Sequence, residues 1–353
     1  MKIFILWTLI LLSFVQIHAQ KFGDNQPKPT PKKSEMRYHI AKFSLPDKKI
    51  NSKYNSFIVW DSRKDTRLLG IIQKGLLNEK VALVTENSLS QDLERFISLI
   101  TNPYPNAKDT MLINIREMYF TELTGASSEK GFCRLRAEFF IKKDSLFELI
   151  DDMDLVLEIK SMLDVTKRNI NNGMKVFTEK LAQNLSANKT GEKFTALQIQ
   201  NFEQIQKNKL AAYTTDKLKD GVYFTFKSFA DQNPSASNFK IVYGKKANQI
   251  DQVIGLNASG KELVLNKEQI YCIVDQGKAL ISTNFGFYEL KYEDWDFCFE
   301  GKNKVTANGQ DVILAGALFG VLGGILASNE TEIWLQKIDY MGGAIVPMRK
   351  IQE

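Results

Sequence analysis

The chain has 353 residues, 47 basic and 41 acidic, for a formal net charge of +6, and only two histidines. His18 lies in an apolar leader and His39 in a polar tail, so Ser-His-Asp and Cys-His chemistry would rest on one tail imidazole, and His-rich zinc sites are excluded. The excess charge sits in residues 20–50, eight basic against three acidic, while residues 51–190 carry 20 against 19 and residues 191–353 carry 18 against 19. The globular part is therefore neutral, which argues against a nucleic-acid partner.

Residues 1–19 read as a cleavable secretory signal: Lys2 is the positive n-region, Ile3 to Val15 is almost wholly apolar, and Ala19 precedes Gln20. The apolar stretch is shorter than the roughly 20 residues that span a bilayer. This predicts export to the periplasm or cell envelope, and no Cys at the cleavage point would take a lipid anchor. Residues 20–50, with Pro27, Pro29, Pro31, Lys32 and Lys33, read as a basic linker in loose contact at most with an anionic surface.

The remaining 300 or so residues exceed one ordinary core and predict two domains. The first spans 51–188. Strand patterns occur at Phe57–Trp60, Lys80–Thr85, Met111–Phe120, Phe132–Ile141 and Leu155–Ile159. Ser88 and Gln91 form a capping-box pair ahead of Leu89, Leu93, Phe96, Ile97 and Ile100 on one helical face, and Asn102-Pro103 ends the run. Ile170, Met174, Phe177, Leu181 and Leu185 mark a longer amphipathic helix. Within Phe132–Ile141, Cys133, Leu135, Ala137, Phe139 and Ile141 alternate with Arg134, Arg136 and Glu138, which predicts a buried thiol on an apolar face and polar residues facing water.

A polar stretch at 184–192 leads to a second, mostly β domain over 192–353. Strands are predicted at Val222–Phe226, Phe239–Tyr243, Ile270–Val274, Ala279–Thr283, Phe287–Leu290 and Trp295–Phe299, with turn signals at Gln276-Gly277 and Asn308-Gly309. The fold class is thus α+β, each domain an antiparallel sheet with packed helices. Of the three cysteines at least one is unpaired, and a Cys272–Cys298 bridge stays open. Four Asn-X-Ser/Thr sequons, at Asn184, Asn188, Asn257 and Asn329, would matter only in a eukaryotic secretory route.

The uncharged run Val312–Ala327 spaces Gly316, Gly320 and Gly324 four apart, one face of a helix on which another backbone could pack closely. It is shorter than a spanning helix. A buried helix or hairpin, an oligomerising or membrane-associating segment, and a Gly-rich loop are its three readings. It is no phosphate loop, because no Gly-Lys-Ser/Thr follows.

Two acidic clusters could supply the paired carboxylates of glycoside hydrolysis. One is Asp151, Asp152, Asp154 and Glu158, which reads as a turn between strands and lacks the order of a calcium loop. The other surrounds Trp295, with Glu293 and Asp296 as candidate ligand-face acids. There the alternation of Trp295, Phe297 and Phe299 with Asp296, Cys298 and Glu300 accounts for the acids as the wet side of a half-buried strand. Asp61-Ser-Arg-Lys-Asp-Thr-Arg67 reads as a solvated connection, with a binding loop as the sharper alternative.

Residues 190–350 resemble a group of uncharacterised exported proteins of Bacteroidota-type bacteria. The likeness rests on Gly221, Tyr223, Phe226, Phe229, Asn233 and Pro234, on Cys272, Asp275, Gly277 and Lys278, and on Ile338-Asp-Tyr-Met-Gly-Gly343. Two departures are visible: the second motif lacks the group's Trp and inserts one residue, and the last has an extra Gly. The resemblance implies export and an envelope setting but no activity. The first domain is more loosely similar to small periplasmic auxiliary lipoproteins through Val59-Trp-Asp-Ser-Arg63, without their lipidated Cys. Together these readings predict an exported two-domain protein that binds or scaffolds, with no catalytic residues, metal or cofactor. Its partner would be an envelope protein or glycan, with self-association and membrane association left open. The competing expectation is a carboxylate-dependent glycan hydrolase acting near Trp295.

Overall fold

A computed structural model describes residues 35–38, 48–74, 79–124, 129–161, 164–246, 249–256, 260–303 and 331–351. In chain order the first half comprises β1 (Glu35–Tyr38), β2 (Ile50–Ser52), β3 (Tyr54–Asp61), β4 (Leu68–Lys74), β5 (Glu79–Thr85), α1 (Leu89–Ile100), β6 (Thr101–Pro103), β7 (Asp109–Thr124), β8 (Glu129–Lys143), β9 (Leu146–Ser161), α2 (Val165–Ser186) and β10 (Lys193–Phe194). Three short helices follow, α3 (Ala196–Gln200), α4 (Phe202–Lys207) and α5 (Ala211–Thr214), then β11 (Gly221–Tyr223) and α6 (Phe226–Ala230). The rest is strand: β12 (Phe239–Tyr243), β13 (Ile250–Leu256), β14 (Glu262–Val264), β15 (Cys272–Asp275), β16 (Lys278–Thr283), β17 (Gly286–Glu293), β18 (Asp296–Asn303), β19 (Glu332–Ile338) and β20 (Ile345–Lys350). The architecture is α+β with strand predominating.

The first sheet runs β1-β5-β4-β7-β8-β9-β10, with β3 also on β7. It is mixed, not antiparallel as the sequence reading had it: β1–β5, β3–β7 and β4–β7 are parallel. Alternation alone reports burial, not strand direction, so the correction could come only from the long-range register. Ser88 caps α1 by accepting from the Gln91 amide at 3.3 Å. The apolar stripe of α1 packs on β3 and that of α2 on β7, β8 and β9, and the two share one core that buries Cys133, Leu135, Ala137, Phe139 and Ile141. Gly173 allows α2 to come this close, since a Cβ there would lie 2.6 Å from Cys133 Sγ and 2.8 Å from the Phe120 ring.

The opposite face of β8, expected to be wet, is covered as well. Phe140 forms a second core with Leu112, Phe147, Phe194, Ile199 and Phe202, and residues 131–141 are buried without interruption. The acidic Asp151–Asp154 segment is likewise no turn. It lies inside β9, in register with β8 from Leu146 to Ser161.

The second sheet, β11-β15-β16-β17-β18-β19-β20, is antiparallel throughout. The small sheet β12-β13-β14 shares a core with Val222, Ile273 and Phe287 of the larger sheet, while α5 and α6 join the other core cluster, with Tyr223, Cys272 and Phe297. The predicted strand Val222–Phe226 stops at Tyr223, because Thr225 and Ser228 form a capping box that starts α6. Gln276-Gly277 makes the expected turn, both residues at positive φ. Cys272 and Cys298 are both free. β16 and β17 lie between their strands, a separation of roughly 14 Å at about 4.8 Å per strand, which no disulfide spans. Asn308-Gly309 and the run 312–327, with Gly316, Gly320 and Gly324, lie outside the described residues. Among the described residues no helix is long and apolar enough to cross a membrane. Residues Ser34–Glu353 form one compact unit.

Candidate functional site

The polar face of β8 meets the second sheet. Arg136 donates to Asp339 at 2.9 and 3.2 Å and to Asp154 at 3.2 Å, and Arg134 donates to Glu117 at 2.7 Å. Asp339 begins the β19–β20 turn, closed by its carbonyl accepting from the Gly343 amide at 2.7 Å. Gly343 sits at φ 76°, where a Cβ would meet the Phe226 side chain at 2.2 Å, so only glycine fits. A register shift between Ile115 and Glu117 on β7 turns Arg116 onto the same face. Its guanidinium reaches Glu203 at 3.1 Å, Tyr340 Oη at 3.2 Å and Glu138 at 3.4 Å.

From α4, Lys207 bonds Glu203 and Asp296, each at 2.7 Å, and Lys337 of β19 bonds Asp296 at 3.2 Å. Tyr340 donates to Gln206 at 2.6 Å, and Arg136 and Lys207 lie 5.7 and 5.4 Å from its ring centroid. Arg134, Arg136, Glu138, Lys207, Lys337 and Asp339 are each at most 7% exposed. Among the described residues Arg116, Arg134, Arg136, Lys207 and Lys337 thus face Glu117, Glu138, Asp154, Glu203, Asp296 and Asp339, all of them mostly buried except Glu203 at the margin. Burial raises the Glu138 carboxyl to about 7 against the pull of Arg116 and the Asn114 amide, and raises Glu117 in the same direction.

Perturbed ionisable clusters are candidate catalytic sites. Here the donors and acceptors are spent on one another across the two sheets, which is what a structural junction requires. The cysteines add no nucleophile. Burial pushes all three thiols up, Cys298 to about 11, away from the reactive thiolate at neutral pH. Among the described residues no group of His, Cys, Asp and Glu is placed to hold a metal ion.

The sequence-predicted ligand face lies at the rim of this junction. Glu293 and Asp296 are cross-strand neighbours flanking a two-residue turn, Asp294-Trp295, with φ of 48° and 66°. Asp296 is taken up by its two lysines, whereas Glu293 is exposed. Trp295 is 59% exposed and Tyr292 beside it 43%. The hairpin is anchored below by Tyr292 and Phe297 against Tyr213, with centroids at 5.9 and 4.9 Å. The loop 61–67 closes on itself, Arg63 gripping Asp61 through Nε at 2.7 Å and Nη2 at 2.8 Å and donating to the Leu68 and Thr66 carbonyls. Its Lys64 lies within electrostatic reach of Lys337, Glu203 and Asp296; burial first, and then Lys337, lowers its pKa. Two features separate in sequence, the 61–67 loop and the 293–296 hairpin, therefore border one region.

Sequence reasoning missed the junction. Its one local signal was Arg134, Arg136 and Glu138 at successive polar positions of a strand whose other face is wholly apolar. At the far end of the second sheet an open groove of about 1060 Å³ is lined by Lys246, Lys267, Ser282, Phe285, Tyr288 and Lys302 among others.

Comparison with protein-family models and with curated proteins finds no match. Among solved structures, the crystal structure of protein XCC0632 from Xanthomonas campestris, assigned to family DUF330, is similar over 48% of this chain and 99% of its own, at 10% identity and a TM-score of 0.28. A likeness at that level carries no argument about fold or function.

Proposed function

We propose that this chain is an exported cell-envelope protein that binds an envelope glycan without transforming it. Its two large sheets are joined by the buried charges of β8, α4 and the β19–β20 turn. The ligand face in this reading is the hairpin tip of Tyr292, Glu293 and Trp295. The observation that carries it is Trp295 itself. A large aromatic is held out in solvent at a backbone position that suits Gly, Asn or Asp. Strain of this kind, of order 1–3 kcal/mol, concentrates at functional positions. An indole offers a wide apolar face with a polar edge, suited to the alternately apolar and hydroxylated faces of a sugar ring. The leader at residues 1–19 and the resemblance over 190–350 support the address.

Hydrolysis is the weaker reading, because Asp296, one of its two carboxylates, already accepts from Lys207 and Lys337. Incubating the mature protein with purified cell-wall sacculi tests both. Binding predicts co-sedimentation that weakens in Trp295→Ala, with no new reducing ends. Reducing ends that vanish in a folded Glu293→Gln variant would establish the enzyme, and absence of co-sedimentation would remove the glycan reading. Amino-terminal sequencing of the protein from fractionated cells checks the address, with Gln20 as the expected first residue.

A further inference from the structure

β9 pairs with β8 along its whole length, yet its outer side is met only at Phe147 and Glu148 by β10, with one more bond from the Leu149 amide to Glu192. From Asp152 to Lys160 no strand lies against it among the described residues. Every second residue of such a stretch directs its N–H and C=O outward, a ready template for another strand.

Among the other edges β1 has four residues, β14 three and β12 five, β3 pairs only with β7 but gives its Val59 amide to Glu94 of α1, and β20 carries Pro347 within a register shift. Residues 152–161 hold no Pro, no Gly and no register shift, since the shift opposite Phe139 and Phe140 comes earlier. Leu155 and Val156, neighbours on opposite faces, are each 38% exposed.

The side chains also select an occupant. Asp152, Asp154, Val156, Glu158 and Lys160 share one face, and Met153, Leu155, Leu157 and Ile159 the other. An antiparallel copy of the same edge centred on Leu155 would set Asp152 against Glu158, and one centred on Val156 would set Asp154 against Glu158. Centred on Leu157, it sets Leu155 against Ile159 twice and opposes no like charges, Lys160 of each strand facing Asp154, whose oxygens Arg134 and Arg136 already hold. We propose that this edge docks a second copy of the chain, the two β9 strands pairing antiparallel about Leu157 into one continuous sheet. The pairing is independent of the cellular address and of the glycan reading.

Light scattering and oxidative cross-linking of the full mature protein test it. The expected result is a dimer mass at tens of micromolar that falls to monomer in Val156→Glu, a change at an exposed position that sets like charges against Glu158 of the second copy. Leu157→Cys should give a covalent dimer on oxidation, because the two Leu157 positions face each other. Leu155→Cys should not, its counterpart being Ile159. A monomer at every concentration, or a dimer retained in Val156→Glu without the Leu157→Cys cross-link, overturns the proposal. A cross-link in Leu155→Cys instead overturns the register. If Val156→Glu fails to fold by circular dichroism, the cysteine pair decides alone.

Discussion

Trp295 sits where an L side chain is crowded by its own backbone, and the hairpin tolerates it. Replacing it with glycine removes that crowding. Trp295→Gly is expected to raise the unfolding free energy by about 0.5–1 kcal/mol while weakening glycan binding, opposite signs that thermal denaturation and co-sedimentation read separately. Gly173 makes the converse case. Ala at this helical position gains about 1 kcal/mol of helix propensity, yet its Cβ must displace Cys133 Sγ and the Phe120 ring, at a cost of about 1–3 kcal/mol. Gly173→Ala is therefore expected to lower the melting temperature, and less so in a Cys133→Ala background. Neither residue advertised its role. Asp294-Trp295 contains no glycine and gave no turn signal, and Gly173 lies in the middle of a clear helical pattern.

At the scale of elements, the sequence reading found what local periodicity determines. The stripes of α1 and α2, the Ser88 cap, the core of β8 and the Gln276-Gly277 turn are all where their patterns placed them. It failed where a partner from elsewhere in the chain decides. β9 was split because its acids look like loop residues, but Asp151 is docked against the end of α2, bonded by Lys180 at 2.8 Å and Lys189 at 2.7 Å. Burial works against the charged form of Asp151, and these bonds outweigh it, holding the carboxyl at about 2. A depressed carboxylate contributes stability above its unfolded value of 3.8 that is lost as pH falls toward 2. Asp151→Asn should accordingly flatten the acid limb of the unfolding curve between those values, measured by urea titration at successive pH.

For the whole molecule the decisive structure is the buried junction, in which arginines of one sheet reach acids of the other. Two charges removed from water are stable together and costly apart. Arg136→Met alone, which leaves Asp339 the more distant Arg134 at 3.9 Å, is expected to cost up to about 3–5 kcal/mol, and Arg136→Met with Asp339→Leu considerably less, a coupling that a double-mutant cycle measures. Burial sets a pH dependence at Glu138 of the opposite sign to that of Asp151. Glu138 has its folded value raised to about 7 from 4.5, so the native state holds the extra proton in that window and stability falls as pH rises through it. The slope approaches about 1.4 kcal/mol per pH unit for one proton, and Glu138→Gln should abolish that part of it. Nothing in the local pattern distinguishes a polar face turned to water from one turned to a complementary set of charges. For that reason the junction was illegible until the two sheets were seen together.

The measurement that bears most directly on the account is a titration of the mature protein with soluble envelope glycan, following tryptophan fluorescence. Of the tryptophans among the described residues, Trp295 is the exposed one, with Trp60 half-buried and Trp334 buried. A saturable blue shift with no reducing ends released, absent in Trp295→Gly, is the predicted result. An unchanged response in Trp295→Gly, or sugar release that tracks the shift, would contradict it.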